Sequence, residues 1–287
     1  MKKVVVQLLF LLCGLPLFSQ YDRIDSLLID VFGNEKIIGS LYGRTGSGSY
    51  LYTGLVCDSK TFYAGRELGD DMYTVNGSIF WLNSGGFYAG ASGSWYSDLE
   101  PGYNSTIVTA GIRKPLNRKK NLNFRIAYSR FFFNVSDTTE IIFKNNVGTG
   151  LSLSNSWIGG RVSFNALFGK EFGMNLSSDI FANITLARFG SSGKLFLAPE
   201  ISLFLGSEST EYESGGSIID DGSTDIYTSD KYGLLNTQVT LPLCIYAGNF
   251  DIELGYSINI PTTQEKDITY PTTSFFSFTI GYLLPIN

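Results

Sequence analysis

Apolar and polar residues alternate along most of this chain. Phe250, Ile252, Leu254, Tyr256, Ile258 and Ile260 point one way, while Asp251, Glu253, Gly255, Ser257 and Asn259 point the other. Successive side chains on a β-strand face opposite sides, so such a segment carries one apolar and one polar face. The pattern recurs in Leu122–Phe124–Ile126–Tyr128, Val162–Phe164–Ala166–Phe168, Met174–Leu176, Ile180–Ala182–Ile184–Leu186, Leu195–Leu197, Ile201–Leu203–Leu205 and Phe276–Phe278–Ile280–Tyr282–Leu284. It predicts twelve strands, near 49–57, 70–82, 86–97, 104–114, 121–133, 141–153, 157–168, 173–188, 195–206, 234–247, 250–260 and 273–284. Most exceed the usual globular strand of about 5–6 residues and suit a tilted strand crossing a bilayer, which needs about 9–11.

The connections sort by length. Those on one side of a meander are short: Asn83 to Gly85, Pro115 to Lys120, Asn155 to Ser156, Phe189 to Lys194, and Gly248 to Asn249. The three long ones, Asp58 to Gly69, Ser207 to Gly233 and Pro261 to Thr272, all fall on the other side. Short turns on one rim and longer loops on the opposite rim are the arrangement of outer-membrane barrels. The long loops are acidic. The short turns carry Arg118, Lys119, Lys120 and Lys194 without an acid.

The first residues read as an address. Lys2 and Lys3 precede an apolar run from Val4 to Leu12, Gly14 and Pro16 break it, and Ser19 offers a small residue for cleavage. That is the layout of a secretory signal peptide over 1–19. Residues 20–48 are expected on the periplasmic side. Ile24, Leu27, Leu28 and Val31 fall at helical spacing, with Asp22 to cap the start and Gly33–Asn34 to stop it. Packing of this short helix against the rim and entry into the barrel mouth as a partial plug both fit the pattern. Residues 49–287 form the sheet.

Composition narrows the chemistry. The chain has 44% hydrophobic and 15% aromatic residues with only 16% charged, and no histidine. Disorder is excluded by the apolar content. Routes that need His as a base or metal ligand are excluded outright. There is no Gly-x-Ser-x-Gly elbow, so an enzyme is not expected. Asp221, Ser223 and Asp225 lack the remaining positions of a calcium loop, and no metal or cofactor is expected. Cleavage removes two of 21 basic residues and none of 26 acidic ones, taking the formal charge from −5 to −7. A surface this acidic argues against nucleic acid as a partner. Cys57 and Cys244 remain, either as a disulfide or as two small apolar strand residues.

A soluble sandwich also alternates. Here the apolar face is rich in Phe, Leu and Ile and the polar face in Gly, Ser, Asn and Thr. Tyr50, Tyr52, Trp81, Trp95, Tyr96, Trp157 and Tyr282 gather near strand ends as an aromatic belt would. In lipid the sheet must close on itself. Together these features resemble a Gram-negative outer-membrane β-barrel: all-β, closed, antiparallel and up-and-down, with about twelve strands and a short N-terminal helix. The last strand is similar to the terminal signal of such proteins at Thr279, Gly281, Leu284 and Ile286, though it ends in Pro285, Ile286 and Asn287 rather than an aromatic. The resemblance implies outer-membrane lipid and the barrel-assembly machinery as partners.

On the polar face, Arg113, Arg125 and Arg161 come from the fourth, fifth and seventh strands. Asp179, Glu200, Asp251 and Glu253 come from the eighth, ninth and eleventh. Positive and negative arcs facing across a lumen would set a transverse field on polar solutes. Pairing among these charges would instead fill and close the interior. Three functions therefore stay open: a passive pore for small polar solutes, a non-conducting outer-membrane anchor or assembly component, and a soluble secreted β-sheet binding protein.

Overall fold

The structure, a computed structural model, describes residues 48–63, 65–67, 72–100, 102–134, 142–190, 193–213, 226–262 and 269–286. The signal peptide, the N-terminal segment with its expected helix, and Asp221, Ser223 and Asp225 lie outside them. Among the described residues there is no helix, and hence none long and apolar enough to cross a membrane.

The chain order is β1 (Ser49–Asp58), β2 (Phe62–Tyr63), β3 (Arg66–Glu67), β4 (Thr74–Asn83), β5 (Phe87–Tyr96), β6 (Tyr103–Pro115), β7 (Leu122–Phe133) and β8 (Phe143–Ser154). There follow β9 (Ile158–Gly169), β10 (Phe172–Ala182), β11 (Ile184–Phe189), β12 (Gly193–Leu197), β13 (Glu200–Glu213), β14 (Ile226–Ala247), β15 (Phe250–Pro261) and β16 (Thr273–Ile286). Each long strand pairs antiparallel with its sequence neighbour, and β16 pairs with β1 from Ser49↔Ile286 to Asp58↔Ser277. That seam closes the sheet, so no long wall strand is left as an open edge. β10 with β11, and β12 with β13, occupy one wall position each, interrupted at Asn183 and at Ala198–Pro199. Proline has no N–H for the ladder, which is reason enough for a break at Pro199. Counted this way the barrel has twelve strands, at the twelve places where alternation put them.

One pair runs further than its apolar pattern. β13 and β14 stay in register from Glu200↔Thr240 out to Glu213↔Ile226. The expected loop from Ser207 to Gly233 is therefore largely a two-stranded ribbon. Beyond lipid a strand needs no apolar outer face, so alternation stops while the ladder continues.

Aromatic rings fold over glycines of the adjoining strand on the inner face. A Cβ at Gly111 of β6 would lie 2.6 Å from the Tyr88 hydroxyl of β5. At Gly281 of β16 it would overlap both the Tyr52 hydroxyl and the Asp251 carboxylate. Tyr52 thus crosses β16 to donate a hydrogen bond to Asp251 Oδ2 at 3.3 Å. Gly281→Val should cost about 1–3 kcal/mol by overpacking, read as a lower unfolding midpoint in detergent. Gly281→Val/Tyr52→Ala should recover part of that loss.

Candidate functional site

The inner face is built from three arcs. On the first, Tyr50, Tyr52, Phe80, Leu82, Tyr88 and Leu283 are buried together at the short-turn end of β1, β4, β5 and β16. This corrects the aromatic belt: Tyr50, Tyr52 and Tyr96 are buried on the inner face, while Trp81, Trp95 and Trp157 are exposed on the outside and Tyr282 is half-buried. Near a strand end, side-chain parity rather than proximity to the rim decides where a ring goes.

The second arc holds the arginines. Arg113 of β6 stands directly opposite Arg125 of β7. Arg125 faces Gly150 of β8, and Ser152 of β8 faces Arg161 of β9. All three guanidinium side chains are buried. With Asn123, Gly150 and Ser152 they line one small polar cavity in the wall. Further toward the long-loop end of the same strands, Ile107, Phe131 and Leu167 form an apolar patch, with Phe133 and Phe143 packed on it.

The third arc is acidic. Asp179 of β10 is directly across from Arg161, whose Nε donates to Asp179 Oδ2 at 2.7 Å. Arg161 Nη2 also approaches Glu200 Oε1 of β13 at 3.5 Å, and Ser202 Oγ donates to that same oxygen at 3.1 Å. Glu253 of β15 takes a long contact of 3.8 Å from Cys244 Sγ of β14, and Asp251 is held by Tyr52. The structure therefore joins Arg161, Asp179 and Glu200 into one cluster, with Arg161 and Asp179 buried and Glu200 half-buried. It keeps Asp251 and Glu253 on a separate stretch of wall. Cys57 and Cys244 are both free thiols, on opposite faces of the sheet. Among the described residues no group of three metal-ligating side chains assembles.

The loop after β1 does not stay outside. Its β2–β3 hairpin folds over the inner face of β16, β15 and β14. Phe62 packs on Phe275 of β16 with ring centroids 4.9 Å apart. Thr273 Oγ1 donates to Gly65 O at 3.3 Å. Gly65 sits against Asn236 of β14, which in turn donates to Asn259 Oδ1 at 3.0 Å. Lys60 and Glu67 pair at 2.6 Å across the base of the hairpin, and the Thr61 hydroxyl donates to Met72 O at 2.8 Å. Alternation gave no sign of this hairpin. The available signals were the paired aromatics Phe62 and Tyr63 and the glycine that follows them.

The outer face shows what surrounds the wall. Leu55, Ile79, Phe87, Val108, Ile126, Leu151, Val162, Ile180, Ile201, Leu241, Leu254 and Phe278 are all exposed there, one from every wall position. An unbroken apolar girdle around a closed barrel whose inner face carries Asn, Ser, Thr and charges is stable only in lipid. This chain is a closed β-barrel of the kind that crosses a membrane with its strands.

A scan against protein-family models matches none, and a search of curated proteins finds no relative. Solved structures similar to the barrel include the KdgM porin, with 10% identity and a TM-score of 0.45 over 83% of this chain and 99% of that one. An outer-membrane channel from Pseudomonas putida F1 shares 8% identity, with a TM-score of 0.47 over 85% of this chain and 97% of that one. The translocator domain of the autotransporter NalP from Neisseria meningitidis shares 9%, with a TM-score of 0.42 over 95% and 98%.

The last strand of the barrel carries the residues that resemble an assembly signal. Thr279 and Gly281 lie on the inner face, opposite Val56 and Gly54 of β1. Leu284 and Ile286 are exposed on the outer face, among the last residues paired to β1.

Proposed function

We propose that the barrel is a narrow passive pore for small polar solutes. The observation that carries this reading is the lining. Ser92, Ser94, Thr109, Ser129, Ser163, Ser177, Ser202, Ser257 and Ser277 run round the inner face with asparagines between them. Side chains just fill an eight-stranded barrel, and barrel diameter grows with strand number. Short hydroxyls and glycines on twelve strands leave room that larger apolar residues would have filled.

Much of this lining is occluded: Ser94 and Ser129 are 0% exposed, and Asn146 and Asn236 are 1%. The same occlusion favours the second reading, an anchor with a sealed interior. Purified protein in a planar bilayer separates the two. Small discrete conductance steps support the pore, and a sealed bilayer in every salt tested supports the anchor. In a pore, Arg125→Gln should move the reversal potential toward cation preference and Glu253→Gln toward anion preference. An unchanged potential in both variants would remove these arcs from the solute path. We further assign Thr279, Gly281, Leu284 and Ile286 as the signal read by the barrel-assembly machinery. Leu284→Asp should then reduce the membrane-inserted fraction in cells without preventing refolding into detergent.

A further inference from the structure

We propose that Arg130 and Lys144, at the long-loop ends of β7 and β8, bind the headgroup of an anionic, phosphate-bearing lipid. The long loops are acidic in sequence, yet Arg130, Lys144 and Lys170 gather at this end of three adjacent strands, all exposed. The exposed Glu171 follows Lys170 in the turn to β10. Arg130 faces away from the lumen. Its neighbours Tyr128 and Phe132 are exposed on that same outer face, while Ser129 and Phe131 between them are buried on the inner one.

The polar end of the site is built around Asn145 of β8, directly across from Arg130. Asn145 Oδ1 accepts from Arg130 Nη1 at 2.8 Å and from the Tyr128 hydroxyl at 2.7 Å, and Asn145 Nδ2 donates to Phe168 O at 3.2 Å. The guanidinium is thereby fixed through one nitrogen, and its other N–H groups stay open to a phosphate. Among the described residues its contacts are Asn145 and the Phe132 ring, and no carboxylate pairs with it. Lys144 is the extra residue of a β-bulge. The register steps from Asn145↔Phe168 to Phe143↔Gly169 and skips it. A Cβ at Gly169 would lie 2.2 Å from Ile142 O, so this close approach of the two strands needs glycine. The two cations thus flank Asn145, one beside it in the chain and one across the strand pair.

The surroundings select a lipid over a free anion. Toward the short-turn rim from Arg130, Ile126 of β7 and Val162 and Phe164 of β9 belong to the exposed apolar girdle, where acyl chains lie. Phe132 and Phe168 are exposed at the level of the cations. A charge on a lipid-facing strand costs least near the interface, and a base placed there attracts anionic headgroups. Cations above and an apolar wall below match a headgroup and its chains. The site is on the opposite face from the lumen, so it is independent of conduction.

The test is competition between two lipids for the full mature chain in a non-ionic detergent. Phosphatidylglycerol and phosphatidylcholine with the same acyl chains are offered in equal amounts, and the retained lipid is counted by native mass spectrometry. The choline of the second cancels the charge of its phosphate. The wild type should retain phosphatidylglycerol preferentially, and Arg130→Gln/Lys144→Gln should cut that preference about 30-fold, from about fivefold per cation. Each single variant should lose about fivefold, which keeps the result readable if the double variant folds poorly. Lys114→Gln/Arg118→Gln, which removes two bases at the opposite rim, should leave the preference unchanged, and excess inorganic phosphate should not displace the lipid. No preference in the wild type, or a preference that survives loss of Arg130 and Lys144, overturns the proposal. An equal loss in the opposite-rim variant would mean that only net charge is read, and displacement by inorganic phosphate would make the site one for a free anion; either result overturns it as well.

Discussion

Arg161→Leu should be among the most destabilising single substitutions in the wall, costing about 3–5 kcal/mol. The loss comes from what is left behind rather than from the bond itself. Asp179 is 1% exposed and sits within reach of Glu200 through their common partner. Without the guanidinium, the buried Asp179 carboxylate keeps its desolvation cost and loses the cation that offset its repulsion with Glu200. The unfolding midpoint in detergent should fall by roughly 6–20 °C on the usual scale for a domain of about 150–250 residues. The paired replacement Arg161→Leu/Asp179→Leu removes both charges and should return most of the stability, since well-packed apolar substitutes for a buried ion pair are often neutral. If the single and the double variant melt together, the pair is not coupled and the acid must find another partner.

That cluster also marks how far periodicity alone could reach. The inner-face parity of Arg161, Asp179 and Glu200 is legible from the expected strands 157–168, 173–188 and 195–206, because one slip of register would turn every neighbouring apolar residue into the lumen. Which charges meet was not legible, since it depends on the stagger between strands. Register puts Asp179 level with Arg161 and leaves Asp251 beside Tyr52 instead. The same limit explains Gly281. Its place in a terminal motif was visible in sequence, but the Tyr52 ring and Asp251 carboxylate that occupy its side-chain space come from strands 199 residues apart. Tyr50, Tyr52 and Tyr96 lie near strand ends, yet their parity turns them inward, and nearness to an end carries no information on parity. The β13–β14 ribbon carries no alternation to read, because lipid, which imposes it, is absent beyond the rim.

Gly65→Val should unseat the β2–β3 hairpin and widen the long-loop mouth. Gly65 has φ +80°, a region β-branched residues scarcely occupy, and a Cβ there would overlap the Asn236 side chain. Backbone strain of this kind costs about 1–3 kcal/mol, which moves a two-state equilibrium about 5–150-fold toward the released hairpin. Phe62 would then leave Phe275, and Thr273 would lose the Gly65 carbonyl. Two measurements follow the release. Trypsin cleavage after Lys60 should accelerate by a similar factor, because cleavage tracks the open population when closing is fast. In a conducting barrel, single-channel conductance should rise as well. Asn236→Ala separates the two causes: in Gly65→Val/Asn236→Ala the overlap is relieved while the unfavourable φ stays, so cleavage should slow only in part. Faster cleavage with unchanged conductance would mean that the hairpin is seated on the wall but does not limit the path. Unchanged cleavage in Gly65→Val would mean that the contact of Phe62 with Phe275 holds the hairpin without the fit at Gly65.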